Sequence, residues 1–138
     1  MWLWLAAVLF ALGSLGDNLL TYKYIVLERR FYEANPIVAA RIYTQPLWIW
    51  FIYDFIGFMV ALALAFGYYR LMHLLSRRDP PWKRERVLRI ASKYWVIVLG
   101  VAIVRFLPVI HNILVICFGI ETPLPNLFYF FGRFLGLV

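Results

Sequence analysis

Charged residues are scarce in this chain: they make up 15% of its 138 residues, and only seven residues are acidic. Hydrophobic residues make up 64%, whereas soluble domains are about 45–50% apolar. This composition excludes an ordinary soluble domain and is typical of an integral membrane protein. Since a spanning helix needs about 20 residues, three spans and their connections nearly fill the length. The sequence therefore predicts one membrane-embedded helical domain over residues 1–138.

Cysteine is also scarce, and a basic N-terminal region is missing. The single cysteine, Cys117, lies in an apolar stretch and can form no disulfide within the chain. The N-terminus lacks the basic residues of a signal peptide, and the apolar run that starts at Trp2 is longer than a signal core. We therefore expect this run to remain in the protein as its first span.

Three long apolar stretches predict transmembrane helices at about 2–22, 47–69 and 94–120. Between the first two, Pro36 is expected to open a short interfacial helix that Pro46 ends. Pro108 predicts a kink in the third span. The apolar segment 123–138 is an interfacial helix, a re-entrant segment or a short fourth span. The predicted fold is an all-α polytopic membrane protein with three spans, an interfacial helix and an apolar C-terminal segment.

Basic residues gather between the second and third spans, in a segment that two prolines predict to be a loop over about 76–90. The positive-inside rule makes this loop cytoplasmic, which places the N-terminus in the cytoplasm and residues 23–46 on the outer face. The charges are expected to set the topology in the cell membrane and to contact anionic lipid headgroups, with no role in binding nucleic acid. They are Arg77, Arg78, Lys83, Arg84, Arg86 and Arg89.

Three charges inside the spans are the most informative feature of the chain. Each of Asp17, Asp54 and Arg105 would cost about 2.5–3.5 kcal/mol in a span, so such groups face a partner or a cavity. At about 1.5 Å per residue, these polar groups share one level in the outer half of the membrane. The sequence therefore predicts a polar network of Asp17, Thr21, Asp54, Arg105, His111 and Asn112, and leaves open which acid pairs with Arg105.

Small residues share the faces that carry the two acids. Gly13, Asp17 and Thr21 form a stripe at a spacing of four residues on the first span. Asp54, Gly57 and Ala61 form a similar stripe on the second. Small residues on such faces allow helices to approach closely in a membrane.

An ordered motif accompanies the spans: Asp17, then Thr21, then Glu33-Ala34-Asn35-Pro36, and Asn112 late in the third span. In these residues the chain resembles a family of small prokaryotic integral membrane proteins of unknown function with a D-x-x-x-T and E-x-N-P signature. The resemblance implies a fold of three to four spans and carries no known activity. Independently of it, Asn35 is suited to cap the helix opened at Pro36, which gives Glu33, Asn35 and Pro36 a structural role.

The polar residues are open to several functional interpretations. The favoured one is a non-enzymatic accessory or assembly subunit of a larger membrane complex, in which the polar network fixes the helix register. Its partners would be the lipid bilayer and other membrane protein subunits or further copies of the chain, and no cofactor is expected. The alternatives are a metal-binding protein using Asp17, Asp54 and His111, a hydrolase using Ser14, and an oligomeric ion or proton pathway.

Overall fold

A computed structural model describes residues 1–33 and 36–134, and this part of the chain is all-helical, with 82% helix and no strands. A π-helical segment, Tyr22–Leu27, extends the first α-helix, and a short 3-10 turn, Ser76–Arg78, follows the third. The α-helices are α1 (Trp2–Thr21), α2 (Pro36–Ile42), α3 (Leu47–Leu75), α4 (Pro81–Ala91), α5 (Trp95–Val104), α6 (Leu107–Phe118) and α7 (Leu124–Phe134).

Three helical stretches are long and apolar enough to cross a membrane, as predicted. The first combines α1 with its π-helical extension, and the second combines α3 with the 3-10 turn. The third runs from α4 through α6. Their ranges are Trp2–Leu27, Leu47–Arg78 and Pro81–Phe118.

The third stretch is broken in its middle. α5 ends at Val104, and α6 begins at Leu107 with Pro108 in its first turn, where the missing proline N–H costs no hydrogen bond. The predicted distortion near Pro108 is therefore a change of helix at residues 105–106. α5 packs against both α1 and α3, whereas α6 packs against α1 and α7, which leaves space between α3 and α6.

The basic segment differs from the expected loop, because most of it is helical. Pro80 is extended and ends the 3-10 turn, while Pro81 is the first residue of α4. A proline at that position is favourable, since its fixed φ suits a helix and its missing N–H would have no partner there. The prolines therefore separate two helices instead of forming a loop. Two exposed ion pairs, Lys83–Asp79 and Arg89–Glu85, follow this segment at a spacing of four residues.

Small residues set the distance between α1 and the broken third stretch. A methyl group on Gly13 would lie 3.2 Å from the Arg105 carbonyl oxygen, and one on Gly16 would lie 3.2 Å from Val109. Gly57 on α3 has open space around it, so the second predicted stripe is not a close contact there. A core of buried apolar residues continues the contact away from the break: Ala6, Phe10, Phe58, Ala65, Val98 and Ala102.

The segment that follows the first stretch and the segment that follows α6 each end in a further helix. The chain turns at Arg29, which has a left-handed backbone with φ 50°, and α2 then packs through Ile42 against Ile25 and Trp50. Gly119, with φ 66°, ends α6 and lets the chain fold back into α7. The 11 residues of α7 span about 16 Å, roughly half of a hydrocarbon core. Residues 135–138 of the predicted tail segment lie outside the described residues.

Candidate functional site

Arg105 joins the two acids that lie on α1 and α3. Its Nη1 donates to Asp17 Oδ2 at 2.6 Å, and its Nη2 donates to Asp54 Oδ2 at 2.7 Å. The guanidinium lies where α5 ends and α6 begins, so the helix break directs it between α1 and α3. We call Asp17, Asp54 and Arg105 the ion triad; it answers the open question of pairing, because Arg105 contacts both acids.

Neutral side chains complete the hydrogen bonding of the ion triad. Asn112 Nδ2 donates to Asp17 Oδ1 at 2.9 Å, and Asn18 Nδ2 donates to Asp54 Oδ2 at 2.9 Å. The Ser14 hydroxyl also donates to Asp54 Oδ2. Such partners are needed because buried charges are stable only when they are both paired and hydrogen-bonded. Two carboxylates and one guanidinium leave the triad with one formal negative charge.

Local sequence explains why α1 supplies so much of this network. Gly13 brings α1 against the backbone of Arg105, and Asp17 lies four residues later on the same face. Ser14 and Asn18, also four residues apart, occupy the adjacent face and reach the acid of α3. Both are buried, and the Ser14 hydroxyl accepts a hydrogen bond from Asn18 Nδ2 at 3.4 Å.

A cavity of about 530 Å³ lies beside the ion triad, in the space between α3 and α6. Residues from α1, α2, α3, α5, α6 and α7 line it, together with the segment before α2. Its polar and charged lining residues include Asp17, Asn18, Thr21, Glu33, Arg41, Gln45, Trp50, Tyr53, Asp54, Arg105, His111 and Asn112.

Three polar atoms of cavity-lining residues are buried without a hydrogen-bond partner among the residues that the structure describes. They are Nε of Arg105, Nε1 of Trp50 and Oε1 of Gln45. Trp50 is only 8% exposed. The amide nitrogen of Gln45 is engaged, since it donates to the Tyr53 hydroxyl at 3.4 Å. These three atoms have essentially no accessible surface, so they lie behind the wall of the cavity and not on its surface.

The structure divides the predicted polar network into two parts. Asn112 bonds directly to the ion triad, and Thr21 is buried in the cavity wall. His111 also lines the cavity, but its Nδ1 is 2.7 Å from Thr122 Oγ1, so it connects α6 to the segment before α7. Of the loop motif, Glu33 lines the cavity and Pro36 begins α2, while Asn35 lies outside the described residues.

The arrangement offers little to a metal ion. Across residues 1–33 and 36–134, no group of three or more His, Cys, Asp or Glu side chains is placed to hold one. The proposed ligands Asp17 and Asp54 are both bound to Arg105, and His111 is bound to Thr122. Ser14, the candidate nucleophile, donates its proton to Asp54 and is not hydrogen-bonded to His111.

Three site residues, Asn18, Gln45 and Trp50, were missed from the sequence, and Ser14 was considered only as a nucleophile. The spacing of four residues between Ser14 and Asn18 marks the polar stripe that contacts Asp54. Gln45 and Trp50 flank the start of α3, where tryptophan is common in any membrane protein. No sequence signal separates these two from ordinary interfacial residues.

Comparison with known protein families, curated proteins and solved structures finds no match to this chain. No relative therefore assigns a role to any residue of the cavity. The function must be inferred from the geometry and chemistry of the cavity itself.

Proposed function

We propose that the chain is an integral membrane protein that binds a small ligand in the cavity between α3 and α6. The observation that carries this proposal is a cavity whose wall combines the charged ion triad with apolar and aromatic side chains, the mixture typical of small-molecule sites. The cavity volume of about 530 Å³ lies within the range typical of small-molecule sites.

The ion triad supports a binding role better than a catalytic one. Both acids are held by Arg105 and by amide donors, so their positions are fixed before a ligand arrives. Because these polar side chains are already fixed, less conformational entropy is lost when a ligand binds. The proposed protein is therefore a binding protein without an enzymatic reaction of its own.

The cavity lies at the end of the bundle that carries α2. The basic residues of α4 and the preceding turn lie at the opposite end, which the positive-inside rule makes cytoplasmic. We therefore propose that the end with the cavity faces the outside of the cell membrane. The N-terminus and residues 76–90 would then be cytoplasmic, and residues 23–46 would cover the cavity on the outer face. A ligand would reach the ion triad from the outer leaflet or the external solution.

A second candidate function is an accessory or assembly subunit of a larger membrane complex. It is favoured by the third membrane-spanning stretch, in which only 6% of the most apolar 18-residue window is buried, against 28% for the first. In a membrane an apolar face has no hydrophobic drive to associate, but it can pack against another helix through van der Waals contacts. Under this proposal the exposed faces of α5 and α6 would contact another subunit or a second copy of the chain.

Native mass spectrometry of the protein extracted in mild detergent tests both proposals. Val104 lines the cavity and Ile103, its neighbour on α5, does not, and the two side chains are 55% and 54% exposed. Val104→Trp should fill the cavity and remove a bound molecule that the wild type and Ile103→Trp retain. If neither retains a molecule, the binding proposal fails. Stoichiometric larger partners in the same spectra would support the subunit proposal, and an isolated chain would contradict it.

A further inference from the structure

An open carboxylate oxygen in the ion triad and a second cavity beside the first indicate what kind of molecule binds. We infer that the ligand is a single-chain amphiphile, with a cationic group at Asp54 and its carbon chain in a cavity between α6 and α7. This inference rests on the proposed binding function, because it names the class of molecule that the same site holds. We call the cavity beside the ion triad the triad cavity.

One carboxylate oxygen of the ion triad has no hydrogen-bond donor. Asp54 Oδ2 accepts hydrogen bonds from Ser14, Asn18 and Arg105, whereas Oδ1 of the same carboxylate accepts none from the residues that the structure describes. Oδ1 is not one of the atoms buried behind the cavity wall, and the Asp54 side chain is 22% exposed. Because Asp54 lines the triad cavity, a ligand there can contact this oxygen.

The charge of the triad cavity favours a cation at this oxygen. Both oxygens of Asp17 accept hydrogen bonds, one from the guanidinium of the triad and one from Asn112, so the formal negative charge of the triad is least compensated at Asp54 Oδ1. Glu33 and Arg41, the other two charged residues of the lining, have opposite charges. An uncompensated charge in a membrane is costly, and a cationic ligand removes that cost.

An organic cation fits this place better than a metal ion. Hard metal cations such as Ca²⁺ take several oxygen ligands, and the triad has one open oxygen. Much of the remaining lining is apolar, including Ile25, Val101 and Val104. A cationic group on a carbon skeleton contacts both parts of this wall.

A second cavity of about 530 Å³ lies between α6 and α7, and we call it the apolar cavity. Its wall is mostly apolar, and none of the described residues that line it is charged. It includes Leu107, Ile110, Pro123, Leu127 and Phe130. Such a wall offers no partner to a charged group and matches a carbon chain.

The two cavities adjoin where α6 faces the start of α7. His111 and Leu124 line both of them, so these two side chains form their common border. Asn112, the next residue on α6, contacts the ion triad. One charged cavity beside one apolar cavity matches a molecule with one charged end and one chain, and that chain would pass His111 and Leu124.

Photoaffinity labelling in nanodiscs of uncharged lipid tests the inference. Three probes share one alkyl chain with a diazirine at its far end, and differ at the other end, which is a primary amine, a hydroxyl or a carboxylate. Labelled residues are mapped by mass spectrometry. Labelling is normalised to that of the nanodisc lipid, because the probes partition differently into a bilayer and ordinary lipid chains also cover apolar grooves.

The amine probe should label residues of the apolar cavity at a concentration about tenfold lower than the hydroxyl probe. This is the factor expected for one charge-assisted hydrogen bond. The carboxylate probe should label these residues least, because Asp54 repels it. An excess of the same amine without the diazirine should compete for the labelling.

Two variants assign the two ends of the ligand. Asp54→Asn should abolish the preference for the amine, and the ion pair of Arg105 with Asp17 remains to hold the helices. The readout is a ratio between probes on one protein, so a loss of fold, which lowers both, is recognised. Ile110→Trp should fill the apolar cavity and abolish labelling there. Ile113→Trp, on the same helix but outside both linings, is the matched control and should label as the wild type.

Each contrary result bears on a stated claim. Equal labelling by the amine and hydroxyl probes, or an unchanged preference in Asp54→Asn, would overturn the cationic group. Equal labelling of Ile110→Trp and Ile113→Trp would overturn the place of the chain. A natural molecule that the wild type retains in native mass spectrometry, and that Val104→Trp removes, would leave the proposed binding function standing even when no probe labels the protein.

Discussion

Replacing Arg105 with methionine removes the cation of the ion triad and keeps most of its apolar stem. Arg105 makes ion pairs of 2.6 and 2.7 Å, and its side chain is 17% exposed. Removing one partner of a buried ion pair costs about 3–5 kcal/mol, because the remaining charge stays buried without compensation. Here two carboxylates are left, so we expect Arg105→Met to lower the free energy of unfolding by an amount at the upper end of this range.

Equilibrium unfolding in mixed micelles, followed by circular dichroism, measures this loss. Arg89→Met is the control, because its ion pair with Glu85 is 74% exposed on both sides and should be worth less than about 1 kcal/mol. Adding Asp17→Asn and Asp54→Asn to Arg105→Met removes the unpaired charges and should restore most of the stability. The reasoning is refuted if Arg105→Met costs no more than Arg89→Met, or if the neutral triple variant is the least stable.

Three further predictions test the packing around the cavity. Gly13→Leu should lower the thermal midpoint strongly, because even a methyl group there lies 3.2 Å from backbone, whereas Gly57→Leu, in open space, should be tolerated. His111→Ala should increase proteolysis near Thr122 without lowering the midpoint as much, because that histidine holds only the segment before α7. Gly119→Ala should cost about 1 kcal/mol in the unfolding assay, since its φ of 66° suits glycine, and no loss would contradict this.

Much of the helix arrangement was predictable because a bilayer imposes a length on its spans. Apolar runs near 20 residues predicted the three stretches, and Pro36 and Pro46 predicted the bounds of a short helix between them. Pro80 and Pro81 were misleading, since a proline ends one helix as readily as it begins another. Sequence pattern alone does not tell a proline-containing loop from a helix that starts at a proline.

The sequence predicts how far along its helix each site residue lies, but it does not predict how the helices are rotated about their axes. Counting residues along each span placed Asp17, Asp54 and Arg105 at one level, because the helical rise is constant. Which side chains then touch depends on how the helices rotate about their axes, and close packing at Gly13 determines that rotation. The same limit applies to His111, which shares the level of the ion triad but bonds to Thr122.

The most direct test of a ligand-accessible cavity between α3 and α6 is cysteine labelling at two neighbouring positions of α5. In a Cys117→Ala background, Val104→Cys and Ile103→Cys are treated in intact membranes with a charged, membrane-impermeant maleimide. We predict that Val104→Cys reacts from the proposed outer face, because Val104 lines the cavity, and that Ile103→Cys does not, because Ile103 does not line the cavity and would face lipid in the proposed membrane. Equal reaction of both positions, or of neither, would contradict a cavity that is open to the outside.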